Sequence, residues 1–346
     1  MELAAGTALL VGVSFGAVTL ASWTESRIAR AAEAQKSPGW DLQSSDQAAI
    51  GSVPPVGLFL GVSDDVLLAP IKTGKVETVK YNRGGSSISL RIDFDNGARA
   101  AFKPVQLIEH TVPRREVAAY RINRLLGLSS VPPAVGRKLP YRDLIANLRS
   151  DSRIFTTRMR EEMAISDGMV PGELSWWIPV IAIARVGNHP IDSVEGIVTW
   201  TRYLTAGKPI AHDDYRLVRQ ISDLVVFDFV IDNVDRWSGG NVRMSEGGRV
   251  LYFMDNTASF GTGRPGSGRT RAYLHRTEKF SRSLISSLAA LNSDRVRVAL
   301  TPDGDAFPEL LRDDEIDSLL ARRDFVLDYV EKLISTHGRE AVMVFP

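Results

Sequence analysis

The chain has 346 residues, of which 44% are hydrophobic and 24% charged, an ordinary globular balance with ample apolar material for one large domain or two lobes. A formal net charge of +1 argues against general nucleic-acid binding, which relies on clustered positive charge. The absence of cysteine excludes disulfides, thiol catalysis and cysteine-rich metal sites together, without fixing the compartment.

Leu3 to Trp23 carries no charge, and about 20 such residues can span a bilayer core as a helix. Only Glu2 precedes it, whereas a signal peptide opens on positive charge, so residues 1–23 are read as an apolar anchoring helix. Cleavage near Thr19 and Ala21, followed by export, is the alternative. Arg27, Arg30 and Lys36 follow the segment and give a weak positive-inside lean toward the cytoplasm for the rest of the chain, which leaves the side of the membrane open. The expectation is a single-pass, membrane-anchored protein of bacterial-envelope type. Residues 24–52, rich in Ala, Ser, Gln and charge, read as a tether ending at Pro54-Pro55.

Strand patterning begins near Val76. Lys75 to Tyr81 alternates, Gly84 to Ser87 forms a loop, and Ile88 to Phe94 alternates again with Ile88, Leu90, Ile92 and Phe94 on one face. Asp95-Asn96-Gly97 signals a hairpin, because Asn-Gly accepts the positive φ of the turn, and Ala98 to Lys103 returns as the next strand. A helix is predicted from about Pro113 to Leu126 and stops at Gly127. Val131-Pro132-Pro133 begins an extended connector.

Beyond it the chain reads mostly helical. The spacing of Leu217, Ile221, Leu224, Val225 and Phe229 predicts a helix over 213–231, followed by a loop over 232–240. A hairpin is expected from 241–244 and 249–254, and helices from about 278–291 and 314–335. The fold class is therefore α+β: a small β-rich N-lobe over 53–137 and a larger helical C-lobe over 138–346, in a two-lobed, protein-kinase-like arrangement preceded by the apolar helix.

Phosphoryl transfer needs cations for the phosphates, carboxylates for a metal, and one carboxylate to take the acceptor's proton. Lys103 stands at a strand end and Glu116 on the following helix, positions where solvent-facing side chains are also ordinary. The run from Asp228 to Arg236 places three aspartates and Asn233 at the end of an apolar helix. Helix capping accounts for one or two of these residues, not all of them. Within it Asp235 is the candidate base, with Asn233 and Arg236 in support. One hairpin downstream, Asp255 ends the apolar strand Leu251 to Met254 and is the candidate metal ligand, with Phe260-Gly261 closing the loop after it.

These stretches resemble the secretory-pathway casein kinases, the xylose kinases and the four-jointed kinases. More distantly they are similar to HipA-type and phosphatidylinositol-kinase-like enzymes. The resemblance rests on Ala101-Phe102-Lys103-Pro104, on 116–137, on Asp228-Phe229 with Asn233, Asp235 and Arg236, and on Asp255-Asn256 with Phe260-Gly261. It implies ATP and Mg²⁺ or Mn²⁺ as cofactors, Lys103 and Glu116 at the nucleotide, Asp235 as base and Asp255 on the metal. It also implies Asn241 as a second metal ligand, six residues after Asp235 instead of five, with Gly239-Gly240 absorbing the difference. Trp237 stands where animal members carry histidine. The expected partners are ATP, a protein or glycan hydroxyl, and the membrane through residues 1–23, with no nucleic acid. Protein Ser or Thr is slightly favoured as acceptor; a sugar hydroxyl, a phosphatidylinositol or a catalytically silent pseudokinase are the alternatives.

Two further stretches carry a pattern. Trp176-Trp177, within Gly172 to Pro179, reads as packing in preference to lining a cleft. Residues 256–277 lack acidic side chains and hold Arg264, Arg269, Arg271, His275 and Arg276. They read equally as a segment attracting an acidic acceptor and as a solvated Gly-rich loop. The five histidines show no metal spacing, and His212 suits a helix start.

Overall fold

The structure, a computed structural model, describes residues 57–346 except 239, 264 and 265. The apolar helix expected over 1–23 and the tether over 24–52 lie outside the described residues. Among the described residues no helix is long and apolar enough to cross a membrane.

The chain opens with a short hairpin, β1 (Leu58–Phe59) and β2 (Val62–Ser63), and helix α1 (Asp64–Thr73). It then forms β3 (Val76–Tyr81), β4 (Leu90–Phe94) and β5 (Arg99–Pro104), followed by helix α2 (Arg114–Leu125). Next come β6 (Ala134–Pro140), the short helices α3 (Tyr141–Ala146) and α4 (Thr156–Glu162), and β7 (Met169–Trp176). Strands β3, β4, β5, β7 and β6, in that order, make one antiparallel five-stranded sheet. Leu90, Ile92 and Phe94 are buried on one face of β4, as strict alternation requires. The turn after β4 has Gly97 at φ 80°, and the Gly97 amide donates to the Phe94 carbonyl.

The strand-rich lobe expected over 53–137 falls short of this sheet, because β6 and β7 carry it on to Trp176. Pro171 and Gly172 disguise β7, since both are depleted from strand interiors. Gly172 is required there: a Cβ would stand 2.5 Å from the Phe102 ring and 2.6 Å from the Lys103 carbonyl oxygen. The glycine lets β7 pass close beside β5 and so sets what lies opposite Lys103.

The second part begins with β8 (Ala182–Ile183), β9 (Arg185–Val186) and β10 (His189–Pro190), then helices α5 (Val194–Leu204) and α6 (Tyr215–Ile231). The predicted hairpin forms β11 (Arg243–Met244) and β12 (Leu251–Tyr252), with β8 pairing on the far side of β11. Helices α7 (Gly268–Leu274), α8 (Arg282–Ala289), α9 (Ser293–Ala299), α10 (Asp313–His337) and α11 (Arg339–Val342) complete it. The helix expected over 278–291 starts later, at Arg282. Phe280 runs extended instead, its backbone exchanging hydrogen bonds with Val342 and Phe345 near the C-terminus.

Helix α6 is the axis of the helical part. From Ile221 to Ile231 every residue is buried, so its apolar side chains are covered on all faces. It ends at Asp232, whose φ of 53° turns the chain out of the helix. The Asp232 carboxylate accepts from the Ser267 amide and the Thr270 hydroxyl, each at 2.9 Å, tying that end to α7. The two parts are joined by ion pairs: Arg114 and Arg115 of α2 both bind the buried Glu315 at the start of α10.

One charge in α6 costs stability. Asp223 is buried, its Oδ1 has no partner, and its Oδ2 lies 3.7 Å from the Arg219 guanidinium. Burial outweighs Arg219 and pushes its carboxyl up to about 7. The folded chain therefore keeps a proton that the unfolded chain releases above about pH 4. The stability this site lends at low pH is lost as pH rises toward 7. Asp223→Asn is expected to raise the melting temperature at about pH 8, by the equivalent of about 1–3 kcal/mol. The gain should shrink toward zero at about pH 4–5, read by thermal melts across pH.

Candidate active site

Of the predicted residues, Lys103, Glu116 and Asp255 line the cleft beside the sheet, and Asp235 is tied to the Asp255 loop through Asn233. Lys103 comes from β5, Glu116 from α2, Asp235 from the loop after α6, and Asp255 from the loop after β12. Lys103 Nζ donates to Asp255 Oδ1 at 2.6 Å, joining the parts across 152 residues of sequence. The lysine side chain is mostly covered while that of Asp255 is 45% exposed, so the aspartate keeps an open side for a ligand. Asp255 sits at φ 60°, a left-handed conformation that a short polar side chain tolerates.

Glu116 does not hydrogen-bond Lys103. Its Oε2 accepts from the Asn256 amide at 2.6 Å, and its Oε1 from the Asn256 side-chain Nδ2 at 2.8 Å. Asn256 Oδ1 in turn accepts from Asn233 Nδ2 at 3.1 Å and Arg236 Nη2 at 2.6 Å. Asn233 also donates to the Asp255 carbonyl and accepts from the Asp235 amide. Arg236 is fully buried against the Asp228 carboxylate at 3.2 Å. Burial, opposed by Arg236, pushes the Asp228 carboxyl up to about 7. The polar residues from Asp228 to Arg236 thus serve different ends. Asp228, Asn233 and Arg236 build the frame, Asp232 ends the helix, and Asp235 alone is exposed. Asn256 is the hub of the frame, a role that its place beside Asp255 signals only weakly.

The carboxylate of Asp235 accepts from the Ser238 hydroxyl at 2.5 Å and from Asn241 Nδ2 at 3.2 Å. Asn241 therefore lies beside Asp235 despite the six-residue spacing. Gly240 takes φ 76° in the connecting loop, and Gly239 lies outside the described residues.

The electrostatics centre on Lys103. Burial pushes its ammonium down, but the carboxylates of Asp255, Glu116 and Glu173 outweigh it and hold the group above the ordinary lysine range. Lys103 holds Asp255 below the usual carboxylate range, so this side chain is ionised at neutral pH. Burial pushes both Glu116 and Glu173 up, with Lys103 opposing. Burial holds Glu173 up at about 8, so Asp255 is the carboxylate that is firmly ionised beside the ammonium, and a divalent cation bound there would favour ionisation of its buried neighbours as well. Among the described residues no group of three or more His, Cys, Asp or Glu is placed to hold a metal by itself. A cation at Asp255 would complete its shell with a ligand's oxygens and water, the usual habit of Mg²⁺ beside phosphates.

Glu173 does not stand out in the sequence, because β7 is disguised there. A glutamate between Gly172 and Leu174 that proves buried is the signal that marks it. The end of this strand and the segment after it bring Trp176, Trp177, Ile178 and Pro179 to the cleft wall. Trp176 also packs edge-on against Phe59 with centroids 5.8 Å apart, and Arg91 lies over Trp177. The tryptophans therefore both pack and line the cleft. In the basic stretch 256–277, Arg264 lies outside the described residues. Arg269 sits on α7 and donates to the Val234 carbonyl, one residue from Asp235.

A strand-rich part and a helical part enclosing a lysine–aspartate pair and an exposed aspartate define a kinase-like phosphotransferase. No protein-family profile matches the chain. A glycosaminoglycan xylosylkinase of Danio rerio is 24% identical over 342 residues, covering 88% of this chain and 83% of that one. Its Homo sapiens counterpart is 25% identical over 308 residues, covering 79% and 75%. The Homo sapiens extracellular serine/threonine protein kinase FAM20C is 19% identical over 324 residues, covering 81% and 56%. The fold matches a Golgi casein kinase, also solved with Mn/ADP bound, at TM-score 0.61 and 16% identity, covering 81% of this chain and 77–78% of that one. It matches a hydra Fam20 solved with sugar at TM-score 0.55 and 19% identity, covering 80% and 90%. The chain is a relative of the atypical secretory-pathway kinases, as its motifs implied.

These relatives correct one expectation. They include a Golgi kinase and a Homo sapiens extracellular kinase, and the described residues hold no membrane-crossing helix. A single-pass anchor in a bacterial-type envelope is not the setting they support.

Proposed function

We propose that this chain is an ATP-dependent kinase that transfers the γ-phosphoryl group to an alcohol hydroxyl, with Mg²⁺ or Mn²⁺ as metal. The observation that supports the proposal is the Lys103–Asp255 ion pair in the cleft, with Asp235 linked to the Asp255 loop through Asn233. Lys103 binds the nucleotide phosphates, Glu116 holds Asn256 and through it the metal loop, and Trp177 and Ile178, which line the same cleft, offer apolar surface to a nucleotide base. Asp255 and the Oδ1 of Asn241 hold the metal, which supplies charge neutralisation on the phosphates. Asn241 Nδ2 is already committed to Asp235. Asp235, exposed to solvent, orients the acceptor hydroxyl and takes its proton as the new O–P bond forms and the bond from the γ-phosphorus to the ADP oxygen breaks. The lobes of this kinase divide near residue 178, after β7.

A sugar hydroxyl is the acceptor we favour over protein Ser or Thr. The xylosylkinases match at 24–25% identity over most of their length, the protein kinase at 19% over 56% of its own. In a competition with labelled ATP, a xylose-containing glycosaminoglycan fragment is expected to take label at least about tenfold faster than an acidic Ser peptide. Preferential labelling of the peptide would reverse the assignment.

A further inference from the structure

Lys103 has one hydrogen-bonded partner here, Asp255, and the proposed function claims that same carboxylate for the metal. In the active complex the lysine therefore needs another anchor. Glu116 also acts on the ammonium electrostatically, but each of its oxygens already accepts from Asn256, which in turn secures Asn233 and Arg236. Releasing Glu116 would undo the frame that positions Asp235.

Glu173 stands directly opposite Lys103 in the antiparallel pairing of β5 with β7. Side chains opposite one another in such a pair share a face of the sheet, with Cβ atoms about 4.5–5.5 Å apart. Glu173 is 1% exposed and lines the cleft. Its Oε2 accepts from the Ser175 hydroxyl at 2.8 Å, and no hydrogen bond engages Oε1. Gly172 keeps this register, since any side chain there would strike Phe102 and the Lys103 carbonyl. A buried carboxylate that faces an ammonium, with an oxygen to spare, has the geometry of an ion-pair partner in waiting.

We propose that Glu173 is the positioning residue for Lys103. It holds the ammonium at the phosphates once Asp255 turns to the metal, the role that a helix glutamate plays in ordinary kinases. This inference rests on the kinase reading. It also assigns Glu116 a separate role, because its bonds lead to the catalytic loop.

The test is ATP affinity of the full chain by calorimetry with Mn²⁺, alongside KM and kcat. Glu173→Gln is expected to weaken ATP binding and raise KM about tenfold, with kcat changed less than about threefold. In a Lys103→Met background the same substitution is expected to add less than about twofold, because it acts through the lysine. The melting temperature should not fall, since burial already pushes the Glu173 carboxyl up to about 8 and glutamine matches the neutral form in shape. Should the glutamine variant not fold, Glu173→Met, of similar length, gives the same comparison. Wild-type ATP affinity in the variant, or an undiminished loss beside Lys103→Met, would overturn the proposal. Metal-dependent ATP binding by the wild type, measured in the same series, keeps that failure distinct from failure of the kinase reading.

Discussion

Asp235→Asn is expected to lower kcat by about 10²–10⁴-fold, the usual contribution of a positioned base, while ATP affinity stays within about twofold. The physical reason is a division of labour. The exposed Asp235 carboxylate contacts Ser238 and Asn241, whereas Asn233 and Arg236 beside it hold the frame. Asparagine preserves shape and an acceptor oxygen but cannot take a proton at neutral pH. Steady-state kinetics with calorimetry on the same protein check both halves. A variant that lost nucleotide binding and turnover together would place Asp235 in the nucleotide site instead.

Asp255→Asn should show the opposite pattern. It removes the ionised carboxylate that Lys103 holds below the usual range, and with it the strongest candidate metal ligand. ATP binding in Mn²⁺ is expected to weaken by about 10–100-fold, and turnover to fall by more than about 10³-fold. Binding without metal should change little, because Lys103 is released from its ion pair and still meets the phosphates. A variant that kept metal-enhanced binding would move the metal away from Asp255. The two substitutions thus separate chemistry from ligand capture within one cleft.

Much of this arrangement is legible in the amino-acid sequence. Alternation in 88–94 and the Asn96-Gly97 turn specify the β4–β5 hairpin, because both are local signals. The apolar helix ending at Ile231 is legible because burial on every face leaves no polar interruption until the aspartates. Strand β7 escapes because Pro171 and Gly172 suit a constraint set by another strand: the glycine is required by Phe102, 70 residues earlier in the chain. With β7 hidden, Glu173 and the cleft face of Trp177 are hidden too. The Asn256 hub is illegible for a related reason. Its four side-chain bonds reach Glu116, Asn233, Arg236 and Phe253, and only the closed fold shows that one amide serves them all. Asn241 runs the other way: its spacing leaves its placement open, and the loop at Gly240 brings it to Asp235.

The central claim is that Lys103 and Asp255 form a metal-dependent nucleotide site served by Asp235. Calorimetric titration of the full-length chain with ATP, with and without Mn²⁺, tests it most directly. Binding that is strengthened at least about tenfold by the metal, and loses that enhancement in Asp255→Asn, is the predicted result. Absence of ATP binding with either Mn²⁺ or Mg²⁺ would contradict the account.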